Sequence, residues 1–218
     1  LQLVGLHSPV DLRLAAVLGD ARVASEWDWL GWLPHVGRRS GVLETWPLVG
    51  PGAELRGLLG DLERYRDAAG GTGTERARPR VVVLVSDGPD LEPVRARLIA
   101  LAEDGPAAGV HVIWVAHTLA RLPAACHTVL DVRAEHRGAE SAVVHEVRLG
   151  RATPLDAVDT VTSAQARALA RQLAAVRDAA AAARDGLNFR SVSASAISFD
   201  PNPSQTPQRS PPHGLALA

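Results

Sequence analysis

The sequence predicts a three-layer α/β fold, a mostly parallel sheet with helices on both faces. Three observations point there. Short apolar runs alternate with helix-length amphipathic stretches in the order β-α-β-α-β, which calls for parallel strands joined by crossover helices. The run Val81, Val82, Val83, Leu84, Val85 is continuously apolar, the pattern of a central strand covered on both sides. The 218 residues are 46% hydrophobic and 22% charged, an ordinary globular balance with enough chain to fill one core between layers.

Taken in order, strands are expected over 12–18, 81–85, 110–116, 128–132 and 143–149. Helical patterns at 54–68 and 91–103 separate the first three. In 143–149, His145, Glu146 and Arg148 interrupt the apolar positions, so this strand is expected at a sheet edge. Residues 163–183 are Ala-rich and form a strong helix pattern, with Ser163 as N-cap and Gly186 beyond the end. Its apolar stripe runs through Ala166, Leu169, Leu173 and Val176. After about Gly186 the composition turns to Ser, Pro, Asn and Gln, which cannot bury a core. The expected organisation is therefore one domain over 1–185 and a disordered linker or tail over 186–218. Residues 70–78 read as a second loose, polar loop.

The chemistry that composition excludes is substantial. All 23 basic residues are Arg, so a P-loop lysine, a Schiff-base lysine and a lysine general base are all absent. The formal charge of −1 provides no global field for nucleic acid or an anionic membrane. Cys126 is the one cysteine, which rules out a disulfide framework within the chain. No apolar run approaches the ~18 residues needed to span a bilayer. The chain contains no Met and begins abruptly on Leu1, Gln2, Leu3, Val4, which reads as a piece of a longer protein.

Several stretches occur in a shared order. Leu6, His7, Ser8, Pro9 precede the first strand. Glu26, Trp27, Asp28, Trp29, Leu30, Gly31, Trp32, Leu33, Pro34, His35 follow it. Residues 55–65 form an Arg- and Glu-rich helix ahead of the apolar strand that ends at Ser86 and Asp87. The strand Gly109, Val110, His111, Val112, Ile113, Trp114, Val115, Ala116 comes next, then Leu122, Pro123, Ala124, Ala125, Cys126. In this order the chain resembles the RecA-like motor domain of the FtsK/SpoIIIE translocases, and within them the type VII secretion ATPases. The Trp-Asp-Trp-Leu-Gly-Trp-Leu-Pro-His run is its most specific part.

The resemblance implies a RecA-like, P-loop NTPase-type fold and, in the intact parent, ATP with magnesium. It implies neighbouring ATPase domains or subunits of the same translocase as partners, in a homo-oligomeric, hexameric ring. The location implied is cytoplasmic, at the inner face of the cell membrane through segments outside this chain. Secreted protein is the favoured cargo over DNA, because the segment is nearly neutral.

Residue by residue, that likeness is incomplete. No Gly-x-x-x-x-Gly-Lys-Ser/Thr occurs; Gly70, Gly71, Thr72, Gly73, Thr74 lacks the lysine and reads as a loop. At the Walker B position the family carries Asp-Glu, and here Ser86 and Asp87 stand in its place. Ser86 cannot supply the negative charge, and the Asp87 carboxylate would sit ~1.5 Å back from the water-activating position. The same two residues also read as part of a plain polar turn, Ser86-Asp87-Gly88-Pro89-Asp90. At the sensor position active relatives carry Thr-Gln or Ser-Gln, and here His117 and Thr118 follow the strand. Ser86, Asp87, His117 and Thr118 are thus the candidate, degenerate nucleotide-binding positions. No catalytic residue is assigned.

Trp27, Trp29 and Trp32 are candidates for a partner-binding patch, since indole rings supply large rigid contact area. Along an extended segment, Trp27 and Trp29 would share one face. His117, His127 and Asp131 fit no regular ligand spacing, so no metal is assigned. Arg64 and Arg66, beside Glu63 and Asp67, read as a solvated, salt-bridged face, and no arginine is singled out as a finger.

Three functions fit these features. The first is a non-hydrolysing, nucleotide-binding-like structural or regulatory module of such a translocase. The second is a fragment of an active ATPase motor that couples hydrolysis to protein or DNA translocation. The third is a divalent-ion-dependent binding module resembling the von Willebrand A domain, suggested by Ser86-Asp87-Gly88 after an apolar strand. Against the third, Gly19-Asp20-Ala21-Arg22-Val23 stands where that family has Asp-x-Ser-x-Ser.

Overall fold

Strand β1, Leu12–Leu18, is buried at every position, and β3, Arg80–Ser86, is buried at all but its first residue and Leu84. These are the two most apolar runs in the chain, and they pair in parallel from Leu12↔Arg80 to Leu18↔Ser86. The structure, a computed structural model, describes residues 1–37, 43–70, 78–134, 140–158 and 160–184. The tail expected at 186–218 and most of the loop expected at 70–78 lie outside the described residues.

Strand β2, Leu48–Val49, flanks β1, and β4, Val110–Val115, flanks β3, giving a four-stranded parallel sheet in the order β2-β1-β3-β4. Alternation sends the side chains of β1 and β3 to two different layers. Ala15, Val17, Val81, Val83 and Val85 pack with helix α3, Ala53–Asp67, and helix α4, Arg95–Asp104. Here Leu58, Leu59, Leu62, Leu98 and Leu101 are fully buried. On the other face Leu12, Leu14, Ala16 and Val82 pack with Val4 of α1, Gln2–Leu6, and with Leu30, Leu33 and Val36. Ala170 of α5, Ser163–Arg184, closes that cluster. The predicted three-layer α/β architecture, with helices on both faces of a parallel sheet, is the observed one.

Four details differ from the sequence-based expectation. Residues 140–146 form β6, Glu140–Glu146, which is a central strand. It lies between β5, Thr128–Ala134, and β7, Arg151–Leu155, in a separate antiparallel sheet. Its polar alternation reflects a sheet with one wet face, while 147–149 turn away as a 3₁₀ segment. The α5 cap is Thr162 rather than Ser163. The Thr162 amide donates to Gln165 Oε1 at 2.8 Å and the Gln165 amide to Thr162 Oγ1 at 3.2 Å, a reciprocal capping box. The α5 stripe runs through Ala166, Ala170 and Leu173, leaving Leu169 exposed, because i, i+4, i+7 spacing from Ala166 selects Ala170; the Val176 side chain lies outside the described residues. The tryptophan run is helical: α2 spans Ala24–Trp27 and a 3₁₀ segment spans Asp28–Trp32.

Asp61, buried on α3, ties the loop before β2 to that helix by accepting the amides of Glu44 at 3.0 Å and Thr45 at 2.7 Å. Arg64 pairs with Asp61 and, at 3.3 Å, with Glu44, while Arg66 pairs with Asp67 at 2.9 Å. Glu63 reaches across to Arg97 of α4 at 2.7 Å, so the charged face of α3 is partly an interhelical contact.

Candidate functional site

Open parallel sheets place their ligands at the carboxyl ends of the strands, and here that edge is shaped by two glycines. The Gly19 amide donates to the Ser86 carbonyl at 2.9 Å, and the Asp90 amide donates to the Gly19 carbonyl at 3.3 Å. A Cβ on Gly88 would lie 2.0 Å from the Gly19 oxygen, and one on Gly19 would lie 2.6 Å from the Ser86 oxygen. Only glycine permits this backbone crossing. Beside it, the Asp87 amide donates to the Val115 carbonyl at 2.8 Å and fastens β3 to β4.

The crossing turns the Asp87 carboxylate inward, where its side chain is only 5% exposed. Arg95, at the start of α4, donates through Nη1 to Oδ1 at 2.5 Å. Arg121, on the 3₁₀ turn Leu119–Arg121 after β4, donates through Nε to Oδ2 at 2.7 Å. Arg95 Nη2 also donates to the Arg121 carbonyl, and its guanidinium lies 5.0 Å from the Trp114 ring centre. Glu92 sits 3.5 Å from Arg121. Burial alone pushes the Asp87 carboxyl up, but hydrogen bonds from Arg121 and Arg95 outweigh it and hold the group below the usual carboxylate range.

The sheet brings the four predicted nucleotide-binding positions to one edge. Ser86 is buried, and its carbonyl is taken by Gly19. His117 and Thr118 lie exposed just beyond β4. At the end of β1, Asp20 is held at about 2 by hydrogen bonds from the Arg22 side chain and amide, with a smaller contribution from His117. Asp131 pairs with Arg133 at 2.6 Å, and no cluster of His, Cys, Asp or Glu suited to a metal occurs among the described residues.

A magnesium–nucleotide group needs a free carboxylate facing the metal and a cation for the phosphates. At this edge both Asp87 oxygens are committed to arginine, Asp20 is committed to Arg22, and lysine is absent from the chain. These residues, as arranged, do not fit that group. The ion loop of a von Willebrand A-type module fits no better, since it would draw on the same two carboxylates.

The tryptophans belong to another surface. Trp27 and Trp29 pack, partly buried, against the α1–β1 cluster, whereas Trp32 is 48% exposed. Helical winding, not extended alternation, sets this pattern. Helix α5 lies over the segment, with Arg167 paired to Asp28 at 2.7 Å and Arg171 5.1 Å from the Trp32 ring centre. His35 closes the run. It is buried, its Nε2–H donates to the His7 carbonyl at 2.8 Å, and its own carbonyl accepts the Leu14 amide at 3.1 Å.

Two features escaped the sequence reading. Arg95 and Arg121 had no local mark, since 34 residues separate Arg121 from its partner and only the fold joins them. A groove of about 960 Å³ also opens between β4 and β5, two strands that share no ladder. Ile113 and Val115 line one side and Leu130 and Val132 the other, each between 41% and 52% exposed.

Compared with known proteins, the sequence matches no family model and no curated relative. Among solved structures the chain is similar to EssC (ATPases 2 and 3) from Geobacillus thermodenitrificans, with 12% identity and a TM-score of 0.58. The likeness covers 81% of this chain, which spans 40% of the length of that one. At that identity it is a likeness of fold, and it bears out the three-layer α/β architecture.

Proposed function

We propose that this chain is a non-hydrolysing, nucleotide-binding-like structural or regulatory module of an FtsK/SpoIIIE- or type VII secretion-type translocase. The observation that carries the reading is Asp87. The one carboxylate at the Walker B position is buried between Arg95 and Arg121, so its charge is neutralised by the chain itself. Supporting it are the exposed His117 and Thr118 in place of a sensor pair and the fold likeness to EssC ATPases 2 and 3.

In this reading ATP and magnesium act at other domains of the parent, and this module contacts neighbouring ATPase domains or subunits. Trp32, with Trp27 and Trp29 behind it, offers aromatic contact area for such a neighbour. A ring at the inner membrane face that moves a protein cargo is the setting the family resemblance supplies.

Calorimetric titration with magnesium in the presence of ATP tests the Asp87 assignment. The wild-type chain and Asp87→Asn are expected to give the same heats. A metal-dependent heat present in wild type and lost in Asp87→Asn would sink the reading, and with it would favour an active-motor fragment.

A further inference from the structure

The segment between β4 and β5 holds itself mainly by local turns, and only at its β5 end does a longer-range bond appear among the described residues, where the His127 carbonyl accepts the Val147 amide at 2.9 Å. Arg121 donates to Thr118, Leu122 to Leu119 and Cys126 to Pro123, at 3.1 Å each. Such a segment has little of its own to hold it in place. What ties its β4 end to the sheet is a closed triangle. The Arg121 side chain donates to Asp87, the Arg121 carbonyl accepts from Arg95, and Arg95 itself donates to Asp87. Side chain and main chain of one residue are therefore gripped by two partners that also grip each other. Glu92 adds a longer contact to the same guanidinium.

The same segment forms a wall of the groove between β4 and β5, through Leu119, Leu122, Pro123 and Cys126. Beneath it, Arg95 is steadied by Trp114, which packs against the main core, while the segment itself lines the exposed groove.

We propose that the Asp87–Arg95–Arg121 triangle is a latch that pins residues 117–127 to the carboxyl end of β3 and sets the opening of the β4–β5 groove. It deepens the reading above and rests on the same engagement of Asp87 by arginine. Two guanidiniums organise this edge from within the chain.

Cys126, the one cysteine of the chain, is a built-in reporter. It is partly buried in the groove wall, and burial pushes its thiol up. The experiment measures the rate at which a disulfide reagent modifies Cys126 in the full chain under native conditions. Arg121→Gln removes one of the two guanidiniums on the buried Asp87 carboxylate and frees the half-exposed end of the segment, so it is expected to raise the rate about tenfold or more. Arg151→Gln, which removes an exposed bridge to Glu146 away from the groove lining, is expected to leave it unchanged.

If Arg121→Gln lowers global stability in parallel denaturation, Arg95→Lys supplies the test, because it keeps the charge beside Asp87 while losing the fork that also holds the Arg121 carbonyl. A faster rate in that variant supports the latch. Wild-type rates in both variants would overturn it. That failure is distinct from failure of the proposed function, which magnesium heats dependent on Asp87 would overturn whatever Cys126 does.

Discussion

Gly88 and Gly19 let the loops after β1 and β3 cross too closely for side chains, and Asp87 sits beside that crossing. A methyl group on Gly88 would meet the backbone oxygen of Gly19 at 2.0 Å, and no rotamer change relieves a backbone clash. Gly88→Ala is expected to cost about 3 kcal/mol or more in urea unfolding. Gly60→Ala is the matched control. That glycine lies within α3 with nothing within 4 Å of its missing Cβ, so replacing it is expected to stabilise by about 0.5–1 kcal/mol. Equal effects of the two would contradict the role given to the crossing. Ser86, Asp87 and Gly88 were visible in the sequence as a strand-end motif with two meanings, metal site or polar turn. The arginines that decide between them were not visible, because Arg95 lies eight residues beyond Asp87 and Arg121 lies across another strand.

At the scale of elements, the tryptophan segment shows how a short motif is held by one buried ring. His35 links it to the end of α1 and to β1, and its Nε2–H donation leaves Nδ1 buried without a partner among the described residues. Protonation would create a buried donor with no acceptor beside Arg13. Burial, partly offset by the bond to His7, accordingly lowers the His35 pKa from its usual 6.5. The sign follows directly. The folded ring stays neutral while the unfolded one takes up a proton, so stability is full above about pH 6.5 and is lost as pH falls below it. Between about pH 7.5 and about pH 5.5 the wild type is expected to lose more unfolding free energy than His35→Asn. The excess is limited to about 1.4 kcal/mol per pH unit. Identical pH profiles would show that the ring titrates as freely in the fold as outside it.

The strands 12–18, 81–85 and 110–115 were legible because they are long apolar runs, and α3 and α4 because their spacing is helical. The Trp run does not reveal its winding. Its charged interleaving mimics β alternation, while its helical winding is set by packing against α1 and β1. Strand β6 lies inside an antiparallel sheet rather than at an edge, because polar alternation marks a half-wet strand equally well in either place. Strand β2, two residues long, and β7, exposed throughout, offered no pattern to find.

For the whole molecule, Leu1–Ala180 form one compact unit in which a parallel sheet carries helices on both faces and a second, antiparallel sheet follows. The fold is similar to that of EssC (ATPases 2 and 3), and the carboxyl edge of its parallel sheet holds Asp87 between two arginines. The proposed absence of hydrolysis is tested most directly by turnover. The parent protein, with every other motor domain inactivated, should release phosphate from magnesium-ATP no faster than a fully inactivated control. Robust release that Asp87→Asn abolishes would contradict the account.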